Sequence, residues 1–98
     1  MVNIYTLEGC SQCKWLVDEL QKTDLKYCNF DANENDEIAT KIENLLNTTL
    51  YPIVHIDKGD RDIYIISEDT KHYFYDDSIV ILNYLNISHL IQLIKTNI

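Results

Sequence analysis

Two cysteines separated by two residues, Cys10-Ser11-Gln12-Cys13, are the side chains of this sequence with the clearest capacity for chemistry. A short apolar run, Val2 to Thr6, precedes them, and a helix-like run, Lys14 to Lys22, follows. Residues i and i+3 lie on adjoining parts of one helical face, so the two sulfurs can close a small ring. The first cysteine stands beside the unpaired N–H groups of the first helical turn. Those donors, with the positive end of the helix dipole, favour thiolate over thiol. A thiolate so placed can attack a disulfide, and the second thiol can then expel the product.

The elements that must hold this pair are legible as a series of patterns. Val2 to Thr6 reads as a buried strand, with Val2, Ile4 and Thr6 on one face and Tyr5 on the other. Leu7-Glu8-Gly9 is the turn. Ser11 to Lys22 reads as a helix with Cys13, Leu16, Val17 and Leu20 on its inner face and Trp15 off that stripe. The same spacing puts Cys13 inward and Cys10 at the open mouth of the helix. Leu25 to Asp31 reads as a second strand containing Cys28, expected as a small core residue. Asn33 to Asp36 supplies capping residues for a helix over Glu37 to Leu46, with Ile38, Ile42, Leu45 and Leu46 inward.

Beyond the loop at Asn47-Thr48-Thr49, Ile53 to Ile56 reads as a strand. Lys58-Gly59-Asp60 is a hairpin turn, and Arg61 to Ser67 is the returning strand. Lys71 to Tyr75 fits either a short extra strand or an ordered loop. Asp76 or Asp77 is placed to cap a third helix over Ser78 to Leu85, and a last amphipathic helix is expected over Ser88 to Lys95. The order is β-α-β-α-β-β-α with a terminal helix. It implies a parallel crossover unit followed by an antiparallel hairpin.

The totals narrow the function classes. A chain of 98 residues, 46% hydrophobic and 24% charged, suits one folded domain spanning 1–98. A formal net charge of -8 argues against nucleic acid and against an anionic membrane surface as partners. The start, Met1-Val2-Asn3-Ile4, has no signal-peptide pattern. With three cysteines, an odd count, a reducing cytoplasm is expected, where a close pair is catalytic or metal-binding rather than a staple. A mononuclear zinc site wants four ligands, and Cys28, His55, His72 and His89 are scattered one per segment, so no metal is expected.

Four stretches of this sequence resemble the glutaredoxins, within the wider thioredoxin-fold group. Ile4-Tyr5-Thr6 is similar to that family's first strand, and Cys10 and Cys13, followed by the basic Lys14, to its active-site cysteines. Tyr51-Pro52-Ile53, holding the chain's single proline, resembles the segment whose cis-proline faces the cysteines. Asp76-Asp77 resembles the acidic pair that follows the family's double glycine. The resemblance runs over residues 2 to 85. It implies a thioredoxin-like, three-layer α/β fold with a central four-stranded mixed sheet flanked by helices. It also implies a thiol–disulfide oxidoreductase of cell redox homeostasis and electron transport. Cys10 would attack and Cys13 resolve; Ser11, Gln12, Lys14, Tyr51, Pro52, Asp76 and Asp77 would bind substrate. Glutathione would serve as co-substrate, with no tightly bound cofactor. The partners would be glutathione, a protein disulfide or both, and the chain would be a monomer rather than a dimer.

The departures from that pattern bear on specificity. Ser11-Gln12 replaces the usual Pro-Tyr, and the family's lysine shortly before the first cysteine has no counterpart, Leu7 and Glu8 occupying that region. A carboxylate there opposes thiolate formation and repels the carboxylates of glutathione. The double glycine is absent; Tyr73, Phe74 and Tyr75 fill its place, where bulky side chains hinder close backbone approach. A competing reading follows: a binding module that kept the fold and lost most turnover, docking a partner around Trp15, Tyr51 and Tyr73.

Overall fold

A computed structural model describes residues 1–67 and 78–98. The elements, in chain order, are β1 (Val2–Thr6), α1 (Ser11–Gln21), β2 (Tyr27–Asp31), α2 (Asp36–Leu46), β3 (Ile53–Asp57), β4 (Asp62–Ser67), β5 (Ile79–Tyr84) and α3 (Ile87–Asn97). The strands form one sheet in the order β2-β1-β3-β4-β5. β1 pairs parallel with β2, β3 runs antiparallel to both β1 and β4, and β5 is parallel to β4. The mixed sheet expected from the pattern is present, with helices on both faces.

The period-2 alternation of each strand divides the core in two. Val2 and Ile4 of β1, Val54 and Ile56 of β3, and Ile63 and Ile65 of β4 face α1 and α3, where Leu16, Leu20, Leu90 and Ile94 are buried. Tyr5, Ile53, Tyr64 and Ile66 point to the opposite face and meet Ile42 and Leu46 of α2. α2 therefore turns Ala39, Ile42 and Leu46 inward, an i, i+3, i+7 stripe. Ile38 and Leu45, expected inward, flank that stripe and are exposed. On α1 the stripe is as expected: Cys13, Leu16 and Leu20 are buried, Val17 is at its margin, and Trp15 is half exposed.

Two further expectations are corrected. The segment expected as a third helix, Ser78 to Leu85, is strand β5, and the sheet has five strands rather than four. Ile79-Val80-Ile81-Leu82 is an unbroken apolar run, for which periodicity does not separate a buried helix from a buried strand. Pairing decides it. The outer edge of β4 offers a full ladder, from Asp62 opposite Ile79 to Ser67 opposite Tyr84. In that ladder Val80 and Leu82 join one core while Ile79 and Ile81 join the other. β-branched and aromatic side chains suit a strand with cover on both faces.

Cys28 is the second correction. It is exposed rather than buried, because β2 is an edge strand and the register sets Cys28 beside Asn3, at a polar part of the sheet. Phe30, two residues on, reaches the core instead and stacks on Tyr5 with ring centroids 5.3 Å apart. The next position along this row is His55, paired with Asn3 in register. Its Nε2 lies 2.8 Å from Asp62 Oδ1, and its ring stacks on Tyr64. His89 has a capping role, its Nδ1 accepting the Leu85 N–H at 2.9 Å. His72, Tyr73 to Tyr75 and the acidic pair Asp76-Asp77 lie outside the described residues.

Candidate active site

The turn after β1 places the cysteine pair. Gly9 adopts φ +79°, a backbone region that side-chain-bearing residues rarely occupy, and this reverses the chain into α1. The Cys10 N–H donates to the Leu7 carbonyl at 3.3 Å, closing the turn. The Glu8 N–H donates to Asn33 Oδ1 at 3.0 Å, tying the loop to the segment after β2. Cys10 is then the N-cap of α1, with extended backbone (φ −84°, ψ 106°).

As N-cap, Cys10 uses its sulfur where serine or aspartate would use oxygen. Its Sγ accepts the Cys13 backbone N–H at 3.1 Å, satisfying one of the unpaired donors of the first turn. Cys10 is half-buried, whereas Cys13 is 2% exposed. The two are joined as a disulfide, with their Cα atoms 5.2 Å apart. Ser11, Gln12 and Lys14 surround the pair with exposed side chains.

Tyr51 and Pro52 arrive from the other side of the sheet. Tyr5 of β1 pairs with Ile53 of β3, so Pro52, one residue earlier, sits level with Thr6 at the end of β1 that leads to the cysteines. The Tyr51–Pro52 peptide is cis, as the resemblance implied. The Tyr51 hydroxyl donates to Glu43 Oε2 at 2.6 Å, linking this segment to α2. Burial, with the Glu43 carboxylate beside it, holds the Tyr51 hydroxyl above the ordinary tyrosine range. The Tyr84 hydroxyl, from the end of β5, donates to the Pro52 carbonyl at 2.9 Å. Burial pushes that phenol up to about 12. Asp76 and Asp77, expected to complete this side, fall outside the described residues.

A cleft of about 410 Å³ opens on the other flank of the pair, between α1 and the end of β1. Cys10, Cys13, Lys14 and Asp18 line it from α1, and Thr6 and Asn29 from the sheet. Thr6 Oγ1 donates to Asn29 Oδ1 across its floor at 3.1 Å. Neither Tyr51 nor Pro52 lines this cleft. The sequence reading did not single out Asp18, Asn29, Glu43 or Tyr84. Only Asp18 left a signal there, one helical turn beyond Lys14.

Among the described residues no group of three histidine, cysteine or acidic side chains could hold a metal ion. No helix among them is long and apolar enough to cross a membrane.

A comparison with family models matches residues 2–60 to the family described as Glutaredoxin. The chain belongs to the glutaredoxin family. The match holds the Cys10–Cys13 pair, Tyr51 and Pro52, and ends before β4, so β5 and its Tyr84 lie beyond it. No curated protein and no solved structure gave a match. Family and paired cysteines together make this glutaredoxin a thiol–disulfide oxidoreductase in kind.

Proposed function

We propose that this glutaredoxin is a dithiol oxidoreductase that reduces glutathione mixed disulfides or protein disulfides, with Cys10 attacking and Cys13 resolving. The observation that carries the assignment is the asymmetry of the pair. Cys10 is half-buried and its Sγ accepts the Cys13 N–H at 3.1 Å, while Cys13 is 2% exposed. A hydrogen bond to sulfur and the helix dipole favour the Cys10 thiolate, the dipole by roughly 0.3–1 kcal/mol. Burial leaves Cys13 with much less access to an incoming disulfide than Cys10.

In the reduced protein the Cys10 thiolate attacks one sulfur of the substrate. A mixed disulfide forms, and the other substrate half leaves as a thiolate that takes up a proton. Cys13 loses its proton and attacks Cys10 Sγ, expelling the second half as a thiol. Two electrons have passed to the substrate, and the Cys10–Cys13 disulfide remains for a thiol reductant, glutathione or a dithiol, to reopen. Ser11, Gln12 and Lys14 flank the incoming disulfide, and Tyr51-Pro52 frames its backbone. Asp76 and Asp77 would receive the amine end of glutathione. The protein works as a cytoplasmic monomer without a tightly bound cofactor.

The test is a trap. Cys13→Ser removes the resolving thiol, so oxidised glutathione should leave an adduct on Cys10, read by intact mass and peptide mapping. An adduct on Cys10 supports glutathione as co-substrate. No adduct, with a wild-type pair that still cycles with dithiols, points to protein disulfides instead. A wild-type pair that does not cycle at all overturns the enzymatic reading in favour of a binding module.

A further inference from the structure

We infer that the cleft between α1 and β1 binds short peptides ending in a cysteine, and that Lys14 and Asp18 read their polarity. The inference rests on the oxidoreductase reading above and adds a substrate class bound on the flank of the cysteine pair away from Tyr51-Pro52.

The cleft adjoins the reacting pair, since Cys10 and Cys13 line it. Its volume of about 410 Å³ suits a ligand of a few residues rather than a folded loop. It carries one charge of each sign, Lys14 and Asp18, both exposed and one turn apart on α1. Such a pair at i, i+4 commonly joins in a salt bridge. Here the ion pairs among the described residues are Lys22–Glu19, Lys41–Glu37 and His55–Asp62, so Lys14 and Asp18 are left to other partners.

Their order along the helix gives the ligand a direction. At roughly 1.5 Å of rise per residue, Lys14 stands ~6 Å and Asp18 ~12 Å along the axis from Cys10. A disulfide bonded to Cys10 therefore meets the ammonium of Lys14 first and the carboxylate of Asp18 beyond it. A C-terminal cysteine carries its carboxylate close to its sulfur. Each preceding extended residue adds roughly 3.5 Å, which brings a free N-terminal ammonium to the level of Asp18. The opposite polarity, a cysteine with its own free amine and a remote carboxylate, sets like charge against like at both positions.

The reaction is the exchange already described. The reduced dithiol transfers two electrons to the peptide disulfide, which leaves as two peptide thiols. A dithiol reductant then restores Cys10 and Cys13.

The experiment compares two disulfides of nearly identical composition, oxidised Gly-Cys and oxidised Cys-Gly, with the uncharged hydroxyethyl disulfide as reference. Pre-reduced protein is mixed with each, and thiol loss is followed by quenching and alkylation. Oxidised Gly-Cys should react about fivefold faster than oxidised Cys-Gly, the scale of one or two exposed charge contacts, and the preference should shrink as salt rises. The double variant Lys14→Asp, Asp18→Lys should reverse the preference; both side chains are exposed, so folding is spared. Reaction with hydroxyethyl disulfide but equal rates for the two peptides overturns the inference and leaves the oxidoreductase reading standing. A preference that survives the charge reversal also overturns it. No reaction with any of the three overturns both.

Discussion

The hydroxyl of Tyr84, on the last residue of β5, donates to the carbonyl of Pro52 at 2.9 Å, spanning from the outer strand of the sheet to the cis-proline segment. Both residues are buried, so the bond is shielded from water. Tyr84→Phe keeps the ring and deletes the donor. It should cost about 1–3 kcal/mol in urea unfolding, with the slope of the transition unchanged. A loss below about 0.5 kcal/mol would mean that the carbonyl finds another donor.

The same phenol gives a pH dependence. The folded protein holds the Tyr84 hydroxyl at about 12, above the ordinary value of 10.0 that the unfolded chain shows. Tyr64 is likewise raised to about 12, chiefly by burial. Between these values the folded state keeps protons that the unfolded state has lost. The associated stability is therefore fully present below about pH 10 and is lost as pH climbs through about 12. Unfolding midpoints measured from pH 8 to 11.5 should fall above pH 10, and less steeply in Tyr84→Phe than in wild type.

Tyr51 and Glu43 form the second brace of the proline segment, at 2.6 Å. A double-mutant cycle with Tyr51→Phe and Glu43→Ala isolates the pair. A coupling of about 1 kcal/mol is expected, since the acceptor is charged but Tyr51 is only partly buried. Additive effects would show that the hydrogen bond contributes nothing net.

Gly9 has open space where a Cβ would stand, so a substitution there meets no steric obstacle. Its φ of +79° nonetheless disfavours any side chain. Gly9→Ala should therefore destabilise by about 1–2 kcal/mol through backbone conformation alone. It should also slow Cys10 alkylation in the reduced protein, because the turn presents Cys10 as the helix cap. An unchanged stability would show that the turn can form at negative φ.

Cys28 is exposed while Cys10 and Cys13 are joined. Native oxidised protein should therefore take up a single alkyl group, on Cys28, before any reductant is added. Cys28→Ser should change stability by less than about 0.5 kcal/mol, as an exposed substitution on an edge strand. Protection of Cys28 from alkylation in the native state would contradict its placement.

What the sequence determined by itself are the features set by near neighbours. Cys10 and Cys13 three residues apart, after an apolar run and before a 3.6-period stripe, place at a helix start a pair able to close a disulfide. The stripe Cys13, Leu16, Leu20 dictates which sulfur is buried. Gly9 marks the turn, because few other residues adopt its positive φ, and Pro52 marks a strand start, whose cis bond only the family resemblance implied. Such signals survive without knowledge of the rest of the chain. The tertiary structure decided whatever depends on which strand lies beside which. Ile79 to Tyr84 is a strand because β4 leaves an edge for it, a fact absent from its own apolar run. Cys28 is exposed because β2 ends the sheet and faces Asn3. Tyr84 reaches Pro52, and Asn29 meets Thr6, through registers that join residues far apart in the chain. Local propensity carries no record of register, since sliding a strand by one residue leaves its composition unchanged and turns every side chain to the other face.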